Sequence, residues 1–364
     1  MAGRVRRLSM RVMILFVVSA VVGVSCAVPS PVPPAVPGPR PFVGFVGDVV
    51  APDHLGDRLC AETASFDDPS AEKRDITCRF EGASFAEPVA AVDELVVMTW
   101  NMARNVDLAA QIEAFRNADA ELPLPDVLLA SEVDRGCARS GNRNAAREFA
   151  EALGYDYVFG VEFVEGVRAT LSAPCEHGQA IFSRYPIGNV ELFRHASFGY
   201  DRFDKPAEPR IGSRADLEAD ILVGDRIVRV VSVHYDDRLE EAPGRVDQAR
   251  ATARNQFGET VPVVVGGDMN TALYFLDPSP VSLFDEAARA FWWSGWVDTH
   301  AGRPNRVTVP FTLAGIVFPA VVDLLWVRSF DTGRVSGAAG CAVSRCGGLS
   351  DHLPQWVWFS VTDK

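Results

Sequence analysis

The stretch "VPVVVGGDMN", residues 261–270, joins an apolar run to a small group of polar side chains. A short run rich in valine and bounded by glycine is typical of a strand buried on both faces. The two glycines favour a tight backbone turn, after which Asp268 and Asn270, two residues apart, point the same way. We therefore expect a central sheet whose strands deliver polar side chains where they end.

Other apolar runs carry a polar residue in the same manner. They are "VVMTWN" with Asn101, "DVLLASE" with Glu132, "RVVSVHYDD" with His234, "AVVDLLWV" with Asp323, and the loop "LSDHLP" with Asp351 and His352 before the final strand "QWVWFS". Taken singly, a strand-end acid or amide usually caps a turn, and a lone histidine is more often a core residue than a catalyst. Taken together, these carboxylates, amides and two histidines suit a hard cation with oxygen ligands and a phosphate ester.

The pattern from Glu94 onward predicts the fold class. Helical spacing occurs in "VDLAAQIEAFRNA", "NAAREFAEAL" and "GRVDQARATARNQF", while "YDYVFGVEF", "GQAIFS", "GNVELF", "RADLEADILV" and "RIVRVVSVHY" are strand-like. Strands outnumber helices and arrive in mixed order. This order predicts an α/β domain over residues 93–364, with two mixed β-sheets packed face to face and helices outside.

Seven of these motifs, in their order along the chain, resemble those of the endonuclease/exonuclease/phosphatase superfamily, which includes deoxyribonuclease I, bacterial sphingomyelinase and inositol polyphosphate 5-phosphatases. The motifs are "TWNMAR", "LLASEVD", "GQAIFSRYPI", "VVSVHYDD", "VVGGDMNT", "VVDLLWV" and "LSDHLP", within residues 95–360. The resemblance implies a four-layer αββα sandwich and a metal-dependent hydrolase that cleaves a phosphodiester or phosphomonoester by in-line attack of water. The alternative is a catalytically silent relative that binds a phosphorylated ligand or a protein partner.

The resemblance also implies roles for individual residues. Glu132 would be the principal ligand of Mg²⁺, with Mn²⁺ and Ca²⁺ as alternatives, and Asn101 and Asp351 would complete the metal environment directly or through water.

On the catalytic side, His352 would act on the attacking water or the phosphoryl oxygens, oriented by Asp323. Asp268 would position or deprotonate water, Asn270 would donate to a phosphoryl oxygen, and His234 would contact the phosphate from the other side. Whether Asp268 or His352 takes the proton stays open.

The chain departs from the superfamily pattern in two places. A Gly or Asp often follows the first Asn, whereas this chain reads "NMAR", residues 101–104. The usual Thr-His-Leu is "VHY", residues 233–235. Both departures concern the side of the site that meets the substrate.

The N-terminus is typical of an exported protein. The basic start "MAGRVRRLSMR" precedes a short apolar stretch, so residues 1–26 are predicted to be a signal peptide. Cys26 in "VGVSC" fits a lipoprotein signal loosely, with ordinary cleavage near Ala27 or an uncleaved anchor as the alternatives. A Pro-rich tether, residues 27–41, and an irregular lead-in, residues 42–92, would follow.

Cysteine usage is consistent with export. Beyond Cys26 there are six cysteines, Cys60, Cys78, Cys137, Cys175, Cys341 and Cys346. Six cysteines allow 15 pairings, of which nearest-neighbour pairing in chain order is the simplest. A zinc site is the rival explanation, but no CxxC pair with an accompanying histidine occurs.

The charge of the chain constrains its partners without choosing a substrate. The formal net charge is −13, so binding of nucleic acid would need a local arginine-lined groove. The segment 194–214, rich in arginine and aromatic residues, would be such a groove or a solvated loop, and the loop is favoured. Nucleic acid, a phospholipid headgroup and an inositol phosphate all remain candidate substrates, and we expect a monomer with membrane attachment through Cys26 as an option.

Overall fold

The structure is a computed structural model, and the residues it describes are 41–45, 59–62, 76–165, 175–195, 210–236, 242–271, 290–291, 294–299, 308–313, 316–328 and 334–361. The predicted signal peptide, Cys26, all but the last residue of the tether and the middle of the basic segment lie outside the described residues. Among the described helices, none combines the length and the hydropathy needed to cross a membrane.

Strands dominate the described chain. In chain order they are β1 (Cys60–Glu62), β2 (Ile76–Cys78), β3 (Glu81–Ala83), β4 (Glu94–Asn101), β5 (Val127–Arg135), β6 (Asp156–Glu165), β7 (Cys175–Ser183), β8 (Ile187–Arg194), β9 (Arg210–Gly212), β10 (Ala215–Val223), β11 (Arg226–His234), β12 (Val263–Asp268), β13 (Val297–Asp298), β14 (Val309–Leu313), β15 (Ile316–Ala320), β16 (Asp323–Arg328), β17 (Arg334–Gly340) and β18 (Gln355–Ser360).

The helices are α1 (Leu108–Arg116), α2 (Ala145–Leu153), α3 (Ala242–Asn255) and the short α4 (Val343–Cys346), with 3₁₀ turns at Ala103–Asn105 and Ala138–Ser140. Helix α2 shows why these segments are helical. The side chain of Asn144 accepts a hydrogen bond from the backbone N–H of Arg147 at the N-terminus, and Gly154 adopts a left-handed conformation at the C-terminus.

Two mixed sheets form the body of the protein. The larger has the order β17-β18-β4-β5-β7-β6-β3, with β9 added beside β6, and the smaller has the order β13-β16-β12-β11-β10-β8. In each sheet one neighbouring pair is parallel, β4 with β5 and β11 with β12, and the other pairs are antiparallel. Strand β3 belongs to the lead-in, so part of that segment completes the larger sheet.

Three apolar clusters confirm the predicted four layers. Alternate residues of both sheets, such as Val97 of β4 and Val264 of β12, form the core between the sheets. The opposite face of the larger sheet packs against α1 and α2, with Phe115 and Phe149 in the contact. The opposite face of the smaller sheet packs against α3 through residues such as Ala249.

The two glycines of the motif at 261–270 lie inside β12, so the expected tight turn at them was wrong. Their function is close packing. A Cβ added to Gly267 would lie 1.8 Å from the carbonyl oxygen of Val233, and one added to Gly266 would lie 2.5 Å from Cδ2 of Leu325. Glycine is therefore required for β12 to fit between its neighbours and extend to Asp268.

The six cysteines form the three bonds of the simplest pairing, Cys60–Cys78, Cys137–Cys175 and Cys341–Cys346. The last bond encloses α4, which leads into the loop that carries Asp351 and His352. The disulfide prediction is confirmed, and the zinc alternative is excluded for these residues.

Candidate active site

Three buried polar residues form a row across the smaller sheet, at one edge of the core between the two sheets. His234 pairs with Asp268 across β11 and β12, and Asp268 pairs with Asp323 across β12 and β16. Paired residues on neighbouring strands point to the same face of the sheet. The row continues the inward-facing positions of Val264 and Leu325, which lie in the inter-sheet core. We call His234, Asp268 and Asp323 the polar row.

His352 reaches the polar row from the loop before β18. Its Nδ1 lies 2.8 Å from Oδ2 of Asp323, and its Nε2 lies 3.6 Å from Oδ2 of Asp268. The indole N–H of Trp100 donates to the carbonyl oxygen of His352 at 3.0 Å, which fixes the backbone at this position. Histidine 352 thus lies between two buried carboxylates.

This arrangement shifts both partners toward their protonated forms. Burial alone would lower the pKa of His352, but the negative charges of Asp323 and Asp268 raise it to about 10. Burial raises the pKa of Asp268 to about 7, although the charge of His352 and hydrogen bonds from Asn270 and Asn101 act in the opposite direction. A proton donor and a proton acceptor therefore stand side by side in a buried site.

Asn101 connects the larger sheet to the polar row. Its Nδ2 donates to Oδ2 of Asp268 at 3.1 Å, and its Oδ1 accepts from the backbone N–H of Ala103 at 3.0 Å. Ser350 Oγ donates to the carbonyl oxygen of Asn101 at 2.7 Å and accepts from the backbone N–H of His352 at 3.1 Å. The ends of β4 and of the His352 loop are therefore joined.

Glu132 lies in an irregular part of β5. The register of β5 against β7 shifts between Ala130 and Val133, and Glu132 has a φ of 53°. Its side chain is 23% exposed, and its carboxylate lies 4.0 Å from Nε2 of His234 and 3.6 Å from Nε of Arg104. Burial would raise the pKa of Glu132, but neighbouring positive charges, led by His177, lower it below its usual value. The carboxylate is therefore ionised and accessible.

His234 is held as a neutral donor. Its Nδ1 lies 2.7 Å from Nη1 of Arg214, which is always a donor, so Nδ1 accepts and the proton resides on Nε2. Burial and the charge of Arg214 lower the pKa of His234 well below its usual value. Its Nε2 lies 3.6 Å from Oδ2 of Asp268, while Glu162 Oε2 lies 3.8 Å from Nδ1.

Arg214 and Glu162 were missed as site residues in the sequence. Arg214 is the last residue of the basic segment for which a solvated loop was favoured, yet it is buried against His234. Arg194, at the other end, donates to the carbonyl oxygen of Val161 at 2.7 Å. Nothing in the sequence around Glu162 indicates a polar function within "YDYVFGVEF".

Asn270 and Asp351, the other two residues predicted for the site, lie beside the polar row rather than in it. Asn270 has a φ of 51°, its backbone N–H donates to Oδ1 of Asp268 at 2.9 Å, and its Nδ2 donates to the carbonyl oxygen of Tyr235 at 2.9 Å. It therefore shapes the loop beside Asp268. Asp351 is exposed and, among the described residues, its carboxylate forms a hydrogen bond with Ser350 at 3.3 Å. It joins the group through its charge on His352.

The side chains that the structure brings together fit a hard divalent cation. Glu132 supplies an ionised carboxylate. Asp268, Asp323 and His352, whose ligand atoms lie within 4.8 Å of one another, form a separate acidic group in which His352 pairs with both carboxylates. Oδ1 of Asp323 is buried and has no hydrogen-bond partner among the described residues. Carboxylate oxygens grouped in this way are the ligands that Mg²⁺ and Mn²⁺ prefer.

The Cys341–Cys346 bond is predicted to matter more for activity than for stability. It closes a loop of only five residues in sequence separation, so its entropic stabilisation is small, on the order of 2 kcal/mol. It restrains the segment that leads to His352. Replacing both cysteines with Ser should lower kcat markedly, because the segment before His352 is no longer restrained. It should lower Tm only slightly. The double Ser variant of Cys60 and Cys78 is the matched control, and a Cys341/Cys346 variant that melts much earlier yet turns over normally would contradict this prediction.

Comparison with known proteins places the site in a family context. Residues 98–352 match the sequence profile of the Endonuclease/Exonuclease/phosphatase family. An endonuclease/exonuclease/phosphatase structure from Beutenbergia cavernae DSM 12333 is 20% identical, with 74% of this chain and 72% of that chain covered and a TM-score of 0.52. One from Bacteroides vulgatus is 17% identical, with 74% and 99% covered and a TM-score of 0.51. No curated protein matches the chain. At these identities the structural likeness establishes a shared fold.

Proposed function

Because the chain belongs to the endonuclease/exonuclease/phosphatase family, we propose that it hydrolyses phosphate ester bonds with the help of a divalent cation, Mg²⁺ in the first instance. One observation carries the proposal. The polar row places Asp268 between His234 and Asp323, and His352 bridges back to it at 3.6 Å, with Glu132 and Asn101 facing the row from the other sheet.

Glu132 and Asn101 would hold the cation, and Asp351 would contribute through water because it is exposed. When bound, the metal supplies charge neutralisation at the phosphate. The remaining steps belong to protein groups. Asp268 and His352 form the pair that orients the attacking water and moves its proton, and Asp323 keeps the ring of His352 in one orientation.

His234 donates from Nε2 toward the phosphate. Because Arg214 holds Nδ1 as an acceptor, His234 acts as a hydrogen-bond donor rather than as a source of a proton. The N–H groups and charges around the row are already oriented before substrate arrives. Such preorganised donors stabilise the charge that develops on the phosphoryl oxygens.

We also propose that the protein works outside the cytoplasm. The N-terminal segment has the features of a signal peptide, and three disulfide bonds are typical of an oxidising compartment. Both features support a secreted or lipid-anchored phosphoesterase.

The test is hydrolysis of bis(p-nitrophenyl) phosphate by the purified mature chain, with Mg²⁺ and with EDTA. We expect turnover with Mg²⁺, loss of turnover in EDTA, and recovery when Mg²⁺ or Mn²⁺ is restored. Absence of turnover on this ester and on a panel of plasmid DNA, RNA, sphingomyelin and inositol phosphates, with phosphate binding intact, would favour the silent relative. Turnover that is unaffected by EDTA would overturn the metal assignment.

A further inference from the structure

The turn that follows β4 has an unusual backbone. Ala103, Arg104 and Asn105 have φ values of 46°, 62° and 54°, in the left-handed region that residues with a side chain rarely adopt. Glu132 and Asn270, at the site, are also left-handed. Strained residues persist only where their surroundings determine their conformation, and they concentrate at functional sites.

A buried side chain of α1 determines the conformation of this turn. Nε2 of Gln111 donates to the carbonyl oxygens of Met102 and Leu349, each at 2.9 Å. Its Oε1 accepts from Nδ2 of Asn105 at 3.1 Å. Since Leu349 precedes the loop of His352, Gln111 holds the strained turn against the other half of the site.

The turn places Arg104 beside the site. Its side chain is 30% exposed, and its Nε lies 3.6 Å from Oε2 of Glu132. A permanent cation beside the proposed metal ligand adds a second positive charge to the one that the metal would bring, more than the single carboxylate of Glu132 balances, and the two charges together favour a further anion at this place. A phosphate group is such an anion, and the planar fork of arginine matches its oxygens.

We propose that Arg104 is a substrate-binding residue that hydrogen-bonds the non-bridging oxygens of the phosphate ester, and that Gln111 is a positioning residue that holds Arg104 there through the strained turn. The inference rests on the proposed function for the identity of the ligand. It concerns the part of the chain, residues 101–104, that departs from the superfamily pattern.

The first experiment compares Arg104→Gln and Arg104→Lys with the parent protein, with Arg116→Gln as the control. Arg116 is an exposed arginine at the end of α1. For Arg104→Gln, KM for bis(p-nitrophenyl) phosphate and Ki for inorganic phosphate should each rise by about 10- to 100-fold, with a smaller change in kcat. For Arg104→Lys, KM and Ki should lie between the values of the parent and of Arg104→Gln. For the control Arg116→Gln, both should match the parent. Unchanged KM and Ki, or a loss confined to kcat, would overturn the assignment.

A second measurement distinguishes substrate binding from simple neutralisation of Glu132. Calorimetric titration with Mg²⁺ alone reports on the metal ligand. If Arg104 only balances the charge of Glu132, Arg104→Gln will bind Mg²⁺ more tightly while Ki for phosphate stays at the parent value. That pair of results refutes the proposal.

A double-mutant cycle tests Gln111. Gln111→Met removes the hydrogen bonds at similar volume and should raise Ki for phosphate, but it should add little in the Arg104→Gln background because both act through one guanidinium. Additive effects would exclude the positioning role. If Gln111→Met does not fold, Asn105→Gly removes the hydrogen bond from Nδ2 of Asn105 to Oε1 of Gln111 without adding strain at a φ of 54°, and it enters the same cycle.

A binding readout separates this inference from the proposed function. The rise in Tm caused by inorganic phosphate with Mg²⁺ requires no turnover. If the parent does not hydrolyse any ester but is stabilised by phosphate, and Arg104→Gln is not, the proposed function fails and the binding assignment stands. If phosphate stabilises both equally, the binding assignment fails.

Discussion

Asp268→Asn is expected to reduce hydrolysis of a phosphate diester by about 10⁴-fold while the protein remains folded. Asp268 is the only member of the polar row that lies within 4 Å of His234, His352 and Asn101 together among the described residues. Asparagine keeps the shape of the side chain but cannot accept a proton. The substitution therefore removes the chemistry and keeps the packing. The measurement is kcat at saturating substrate, with Tm and circular dichroism as controls of folding.

Asp247→Asn is the matched control for Asp268→Asn. Asp247 is an exposed aspartate of α3 that forms an ion pair with Arg250. Its substitution removes the same charge from the chain, on a helix that packs against the face of the smaller sheet opposite the polar row. We expect parent-like kcat for this variant. If Asp268→Asn, purified and assayed in the same way as Asp247→Asn, turns over substrate nearly as fast as the parent, the catalytic role proposed for Asp268 is refuted.

The fold was predictable where local pattern and tertiary packing agree. "NAAREFAEAL", residues 144–153, has helical spacing, and in the structure α2 begins at its second residue because the side chain of Asn144 caps the helix. Strand β17, Arg334–Gly340, was missed because "RVSGAAG" is rich in small residues and lacks alternation. It forms because β18 supplies its hydrogen bonds.

The hairpin of β14 and β15 was hard to predict because each of its runs contains a proline. Pro310 and Pro319 interrupt the two runs, and a proline within a run argues against a strand. In the structure the two prolines are partners in the register of a hairpin whose two strands follow one another in the chain. That the two proline-containing runs pair with each other cannot be read from either run alone.

The site was predictable to the extent that it consists of strand ends. A polar residue at the end of an apolar run indicated His234 and Asp268 as site residues. Asp323 was expected inside an apolar strand, but it is the first residue of β16, because the strand begins only after Val322. Contacts that side chains make from neighbouring segments carry no such pattern. Arg214, the residue before β10, contacts His234 at the end of the neighbouring strand β11, and its effect on the tautomer follows only from the folded geometry.

The second large effect is expected for Asp323→Asn, which should lower kcat by roughly 10³-fold. Asp323 Oδ2 accepts from Nδ1 of His352 at 2.8 Å, and an asparagine can present its NH₂ group there and reverse the tautomer. The measurement is the pH dependence of kcat together with the pKa of His352 by NMR in the metal-free protein. Parent-like kcat from pH 6 to 8 would show that Asp323 does not orient His352.

The pKa of His352 provides a second, independent test of this prediction. Asp323 is the largest of the groups that raise it to about 10, and burial acts in the opposite direction, so the pKa of His352 in Asp323→Asn should fall. Because the folded-state pKa lies above the usual value of 6.5, the stabilisation from this pair is fully present below pH 6.5 and is lost as pH rises through 10. The difference in Tm between the parent and Asp323→Asn should therefore be largest below pH 6.5 and shrink toward pH 10. A difference in Tm that grows from pH 6.5 to pH 10 would mean that His352 is neutral in the folded protein. Asp268 alone would then have to take the proton of the attacking water.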